Sequence, residues 1–365
     1  MFAIEMLPAA HGDALVVEYG TKTDPHRILI DAGTINTWPA VRERLMRRKD
    51  SRYEIFVVTH VDEDHIGGSI ALLDDADLKH KISNIWFNGY IHCAAGGSVL
   101  GPVHGEMLTE RIANGPYKWN DGFPKRKTKG VGGPAVVPSD GDLPTFDLPG
   151  HARIVLVSPS GPKLKKMASV WEQKVREAHL VPGAGVVGVN RTPKGHLKQV
   201  DELPATITRA KLDELAATNE TDGSDANGSS IAFVLEFGKK RLLLGADAHP
   251  DVLAENLPRY GAMIGEHRPR IDLYKVAHHG SGANLSTACV ESMDCRRYML
   301  SSNGDNFGHP SDTAIARAIV SSTGSTTFYC NYSTARTQPW VERGLPFGAT
   351  FTLPGDGKVG LRVAV

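Results

Sequence analysis

The segment Val58-Thr59-His60-Val61-Asp62-Glu63-Asp64-His65-Ile66-Gly67-Gly68 sets two histidines and two aspartates within six positions, behind the apolar run Ile55-Phe56-Val57-Val58. Imidazole nitrogens and carboxylate oxygens are the ligands that divalent ions such as zinc, manganese and iron select. Packed on one short turn, such side chains repel one another or stay unsatisfied unless a cation, or a pair of cations, neutralises them. A solvated polar loop would explain neither the strand before the cluster nor the Gly67-Gly68 pair after it. The cluster therefore points to a metal site, and the chain to a metallohydrolase.

Later apolar strands end in similar groups. The run 241–244 closes in Gly245-Ala246-Asp247-Ala248-His249, where Asp247 suits a bridging carboxylate or, alternatively, a helix N-cap. His249, two residues on, points to the same side of an extended chain, which makes it a residue beside the site or a structural one rather than a ligand. The run 273–277 delivers His278-His279-Gly280-Ser281, and 297–301 precedes Asn303-Gly304-Asp305-Asn306-Phe307-Gly308-His309-Pro310. Gathering distant ligands at strand ends is a way for a sheet to surround an ion.

The elements that must position these groups follow from periodicity. Strands are predicted at 2–7, 14–19, 27–30, 55–58, 84–87 and 154–157, with a hairpin over 231–237 and 241–244. Helices are predicted at 37–48, from Gly67-Gly68 to about 73, at 207–217, and after a cap at Ser311 or Asp312. Leu164, Met167, Trp171, Val175 and Ala178 recur at helical spacing and read as a core-facing stripe. The stretches 93–149 and 181–218 are irregular, and 218–230 is loop by composition. Within the first lies Pro124-Lys125-Arg126-Lys127-Thr128-Lys129-Gly130, near Tyr117 and Trp119. Cations beside aromatics can hold a phosphate backbone and stack a base, or simply belong to a solvated insertion.

With 365 residues, 41% of them hydrophobic, the chain can build a large core, read here as one domain over 1–365 with insertions at about 93–149 and 181–218. A formal net charge of +0 gives no global field toward nucleic acid. Cys93, Cys289, Cys295 and Cys330 lack zinc-finger or redox spacing, which suits reduced thiols in a cytoplasmic protein. With no basic leader and no apolar run near 18 residues, neither export nor membrane insertion is expected.

The order Ile30-Asp31-Ala32-Gly33, Thr59-His60-x-Asp62-x-Asp64-His65-x-Gly67-Gly68, Leu244-Gly245-Ala246-Asp247 and His278-His279-Gly280-Ser281 resembles the metallo-β-lactamase superfamily. Its usual motif is H-x-H-x-D-H; Asp62 in place of the middle histidine is similar to the metallo-β-lactamase-like domain of the ComEC-type competence proteins, here without a membrane channel. His11-Gly12-Asp13-Ala14, Asn227-Gly228-Ser229-Ser230 and Gly308-His309-Pro310 are similar to that branch too. The resemblance covers about residues 1–320, apart from the irregular stretches.

The fold implied is α/β, a four-layer αβ/βα sandwich of two mixed β-sheets with a metal cleft at one edge. The implied cofactors are two divalent ions, zinc or manganese, with Asp62 adding oxygen character that favours manganese. His60 and Asp62 would hold one ion, Asp64 and His65 the other, Asp247 would bridge them, and His278 or His279 would complete the second site. The first site's third histidine is missing, leaving Asn227 or a water in its place. Asp31 would anchor a ligand imidazole, with Asp13, Asn227 and His249 beside the ligands. Asp64, His279 and His309 are the catalytic candidates; Lys125, Arg126, Lys127, Ser281 and His309 are those for substrate contact. The activity implied is a phosphodiesterase or nuclease acting on nucleic acid. Two alternatives stand beside it: a hydrolase of a small ester, lactam or cyclic phosphodiester, and a non-catalytic subunit binding a protein partner.

Overall fold

Alternation in the first strands sends Ile4, Met6, Leu15, Val17 and Tyr19 to one face and Val16, Leu29 and Phe56 to the other. The computed structural model describes residues 1–48, 52–93, 103–124, 131–177, 203–204, 206–342 and 348–365. A seven-stranded sheet contains β1 (Phe2–Met6), β2 (Leu15–Gly20), β3 (Pro25–Ile30), β4 (Ile55–Val57), β5 (Asn84–Trp86), β6 (Lys118–Trp119) and β17 (Leu361–Ala364). Its order is β17-β1-β2-β3-β4-β5-β6, antiparallel as far as β3 and parallel beyond.

An eight-stranded sheet contains β7 (Thr145–Leu148), β8 (Ala152–Ser158), β9 (Ala232–Phe237), β10 (Lys240–Leu244), β12 (Leu273–Lys275), β14 (Arg297–Leu300), β15 (Thr327–Cys330) and β16 (Thr350–Thr352). Its order is β16-β15-β14-β12-β10-β9-β8-β7, parallel from β16 to β10 and antiparallel after it. A small parallel pair, β11 (Arg270–Ile271) and β13 (Asp294–Cys295), stands apart.

The sheets pack face to face. Phe233 lies 6.4 Å from Trp86 and Phe237 5.7 Å from Tyr19, ring to ring, across the gap. The intervening Glu236 turns the other way and accepts from Tyr260 of α8 (Pro250–Met263), which covers the outer face of the second sheet. On the outer face of the first sheet, Val41 and Leu45 of α1 (Trp38–Met46) and Ile66 and Ile70 of α2 (Glu63–Asp74) close a second core. Leu164, Met167 and Trp171 of α5 (Gly161–Glu177) join it as their spacing predicts, while the Val175 side chain and Ala178, also expected in the stripe, lie outside what is described. Helix, sheet, sheet and helix make the four-layer αβ/βα sandwich that the resemblance implies.

The remaining described helices are α3 (Tyr90–Cys93), α4 (Val103–Asn114), α6 (Arg209–Ala216), α7 (Asp225–Gly228), α9 (Thr287–Glu291), α10 (Asp312–Val320) and α11 (Gln338–Glu342). The stretch 93–149 is more regular than its Gly and Pro content suggests. Met107, Leu108 and Ile112 bury one face of α4, and β6 and β7 extend the two sheets. Lys125, Arg126 and Lys127 lie outside the described residues, as do 181–202. The helix α8 was not legible, because Pro258 and Gly261 interrupt its pattern; tertiary packing of Leu253, Leu257 and Tyr260 carries it through. The four cysteines are buried, and no helix among the described residues is long and apolar enough to cross a membrane.

Candidate metal centre

Parallel strands finish at a common edge, so the carboxyl ends of β3 and β4 in one sheet meet those of β10, β12 and β14 in the other. Asp247 follows β10, and its Oδ2 stands 3.4 Å from His65 Nε2, 3.7 Å from His279 Nε2 and 3.8 Å from the Nε2 atoms of both His60 and His278. Asp64 Oδ2 lies 3.3 Å from His279 Nε2 and 3.9 Å from His65 Nε2; Asp62 Oδ2 lies 3.7 Å from His60 Nε2. Asp247 is not a helix cap, a position His249 takes in α8. Asp62 occupies the N-cap position of α2 without a side-chain capping bond, its carboxylate leaning instead toward His60.

The other nitrogen of each imidazole is held by a partner that fixes its tautomer. Asp31 Oδ2 accepts from His65 Nδ1 at 2.8 Å and from Thr59 Oγ1 at 2.8 Å, while Thr59 Oγ1 accepts from His60 Nδ1 at 3.0 Å. His279 Nδ1 donates to the Ser301 carbonyl at 3.0 Å, and His278 Nδ1 to Asn284 Oδ1 at 2.8 Å. All four rings thus present Nε2 to the centre. The backbone around the centre is held in the left-handed region at four places: φ is +52° at Asp31, +47° at Ala246, +49° at His278 and +56° at His279.

The charges of the cluster depend on one another. Burial alone would raise the Asp64 and Asp247 carboxyls, yet neighbouring imidazoles, His65 foremost, hold both far below the usual range. Conversely, burial would lower His279, but Asp247 and Asp13 push it up to about 9, and Asp247, Asp64 and Asp31 raise His65 well above its ordinary value. A divalent ion compensates the same carboxylates while leaving the rings neutral. His60 Nε2 and Asp247 Oδ1 are buried without a hydrogen-bond partner, as ligand atoms would be. The residues present therefore fit divalent metal. Among the described residues, His60, His65 and Asp247 form one compact ligand group and Asp13, His65 and His279 another. In the latter, Asp13 is already neutralised by buried Lys275 at 2.5 Å, which makes its carboxylate a support beneath His279, 3.5 Å from Nδ1.

Glycines let the loops close on the turn. A Cβ on Gly12 would stand 1.9 Å from the Asp64 carbonyl oxygen, and one on Gly68 2.0 Å from that of Ala32. Three other expected residues fall around the ligands. Asn227 on α7 has a buried, unpartnered Oδ1 and donates from Nδ2 to Asp222 at 2.7 Å. His249 accepts at Nδ1 from Lys163 at 2.8 Å and stays outside the ligand cluster. His309 stands at the rim, its ring 5.2 Å from His278. Ser281 is buried, and its hydroxyl accepts from Ala283 N at 3.2 Å, so it shapes the turn behind His278 and His279 rather than facing substrate. His92 packs 4.9 Å from Trp119, in the first sheet's helical layer.

Sequence reasoning missed Asp222, Asn284, Thr59 and Lys275. Asp222 accepts from Asn227 and from Asn284 Nδ2, each at 2.7 Å, and lies 3.6 Å from His278 Nδ1 and 3.8 Å from His249 Nε2. Burial opposes its ionisation, but these donors and His278 hold its carboxyl well below the usual range. An acid inside a polar stretch carries no periodic signal; only Thr59, next to His60, had one.

No protein-family model matches the chain, and no curated protein does. Among solved structures, it is similar over its whole length to the CmlA beta-hydroxylase E377D mutant at 11% identity and a TM-score of 0.38, spanning 54% of that chain. It is also similar to a HARLDQ-motif mutant metallo-beta-lactamase from Cronobacter sakazakii at 14% identity and a TM-score of 0.31, covering 87% of this chain and 89% of that one. For the MIM-2 metallo-beta-lactamase the figures are 13%, 0.27, 76% and 75%. Likeness at this level carries nothing about activity; the fold stands on its two sheets and their packing.

Proposed function

We propose that this chain is a metal-dependent hydrolase of phosphodiesters, with nucleic acid as its substrate class. The observation that carries the reading is Asp247 Oδ2, set within 3.4–3.8 Å of four imidazole Nε2 atoms on strand ends of both sheets. In this reading Asp64, His65 and His279 hold one ion, His60, Asp62 and His278 the other, and Asp247 reaches both. His278 then takes the place of the histidine that the motif lacks. Bound divalent ions supply an acidic water and a Lewis acid for the phosphoryl oxygen.

The chain's own residues do the rest. Asp31 and Thr59 keep His60 and His65 turned with Nε2 inward, and Asp222 and Asn284 do so for His278. His309, whose ring lies 5.2 Å from that of His278, is the residue assigned to give a proton to the leaving alkoxide. The phosphodiester class is supported by the resemblance of the His60–His65 motif to the ComEC-type domain and by the basic run at 125–127, which lies outside the described residues.

Elemental analysis of the wild type beside Asp64→Ala/Asp247→Ala, with a DNA-cleavage assay under added manganese, tests the reading. Bound metal and cleavage, both lost in the variant, are expected. Metal without cleavage of any nucleic acid would redirect the search to small esters, and absence of metal under every loading condition would overturn the hydrolase.

A further inference from the structure

At the mouth of the centre, among the described residues, Phe307 is the one exposed side chain of the Phe, Tyr and Trp class, at 43%. Most other described aromatic rings are drawn into the two cores, whereas this one is left open beside the centre. Nor is it a loose loop tip. Asn303 N donates to the Ala10 carbonyl at 3.0 Å, Ser302 N to Asn331 Oδ1 at 3.0 Å, and Asn306 Nδ2 pairs with His11 Nε2 at 3.0 Å.

Three histidines surround the ring. His309 lies nearly parallel to it, with centroids 6.1 Å apart and planes at 24°; His11 stands edge-on at 6.3 Å, and His278 is tilted by 58° at 6.5 Å. Phe307 is thus flanked by imidazoles that lead inward to Asp247, while 43% of the residue stays exposed to solvent. A hydrophobic plane next to a centre for an anionic group suits a ligand that is a flat ring on one side and a phosphate on the other.

We propose that Phe307 is the stacking platform for a planar ring of the substrate, an unpaired nucleobase adjoining the phosphate at the metal centre. This rests on the phosphodiester reading above. It makes Phe307 a residue that sets specificity for unstacked, single-stranded ends or loops, since a base inside a duplex has no free face to offer.

The test uses the manganese-loaded full chain in equilibrium titrations with inorganic phosphate and with thymidine 5′-monophosphate, for wild type, Phe307→Ala, Phe307→Leu and Phe307→Tyr. Stacking one base contributes roughly a tenfold gain or more. Wild type and Phe307→Tyr are therefore expected to prefer the nucleotide by about that factor, whereas Phe307→Ala and Phe307→Leu lose the preference and keep their phosphate affinity. Equal affinity of the wild type for both probes, or a preference that survives Phe307→Ala, overturns the platform and leaves the phosphate-binding metal centre standing. A chain that takes up manganese but binds neither probe, or takes up no manganese, overturns the phosphodiester reading and the platform with it.

Discussion

Asp31 shows how one side chain sets the aim of two imidazoles. Its carboxylate accepts from Thr59 N, Thr59 Oγ1 and His65 Nδ1, each at 2.8 Å, and Thr59 passes the constraint on to His60. Asparagine would offer one acceptor oxygen and turn an NH2 toward groups that already donate. Asp31→Asn is expected to keep the fold but weaken metal binding by roughly 10–100-fold, as measured by competition with a chelator. Unchanged affinity would show that the packing alone orients His65. At this scale the sequence was most legible where residues sit in one short motif: His60, Asp62, Asp64 and His65 come together as their spacing implies. Asp222 was not legible, because its meaning depends on Asn284 and His278, more than fifty positions away.

Helix α2 carries Asp64 and His65, and its docking rests on Gly68, whose amide donates to the Gly33 carbonyl at 2.8 Å. A Cβ there meets the Ala32 oxygen at 2.0 Å, so the helix would have to withdraw from the loop that carries Asp31. Alanine is the better helix former by about 1 kcal/mol. Even so, Gly68→Ala is expected to cost about 2–4 kcal/mol in urea unfolding, since the overlap is with backbone. Stability equal to the wild type would overturn this account of the glycine pair.

Glu18 on β2 pairs with three arginines: Arg27 on β3 at 2.8 Å, Arg48 beyond α1 at 3.7 Å, and Arg362 on β17. Burial works against its charge, but the arginines hold the folded-state pKa below the ordinary value. A depressed carboxylate stabilises above the unfolded pKa of about 4.3 and loses that contribution as pH falls through the folded one. Glu18→Gln is therefore expected to destabilise by about 2 kcal/mol at pH 7, with the difference from wild type shrinking progressively below about pH 5. A difference constant from pH 7 to pH 3 would assign the loss to shape rather than charge. Strand and helix identities were largely legible from alternation and caps, including the Ser311 cap of α10. Helix α4, in a stretch read as irregular, and α8, where no helix is predicted, gain their definition from the layers they cover.

At the scale of the whole molecule, one apolar core joins residues from Ile4 to Val363 and contains the inner faces of both sheets. Trp86 lies between the sheets, Trp171 in the first helical layer and Trp340 beside the second sheet, all buried. Tryptophan fluorescence and far-UV circular dichroism are expected to report one coincident urea transition; two separated transitions would show that the halves unfold independently. The buried pair of Asp13 and Lys275 adds a consequence for biosynthesis, because 262 positions separate its members. At roughly 5–20 residues per second, a ribosome makes the carboxylate some 10–50 seconds before its ammonium partner. Through that interval the nascent first sheet presents an uncovered apolar face and an acidic turn with no counter-charge, a combination that invites chaperone capture or premature ion binding until the second sheet arrives.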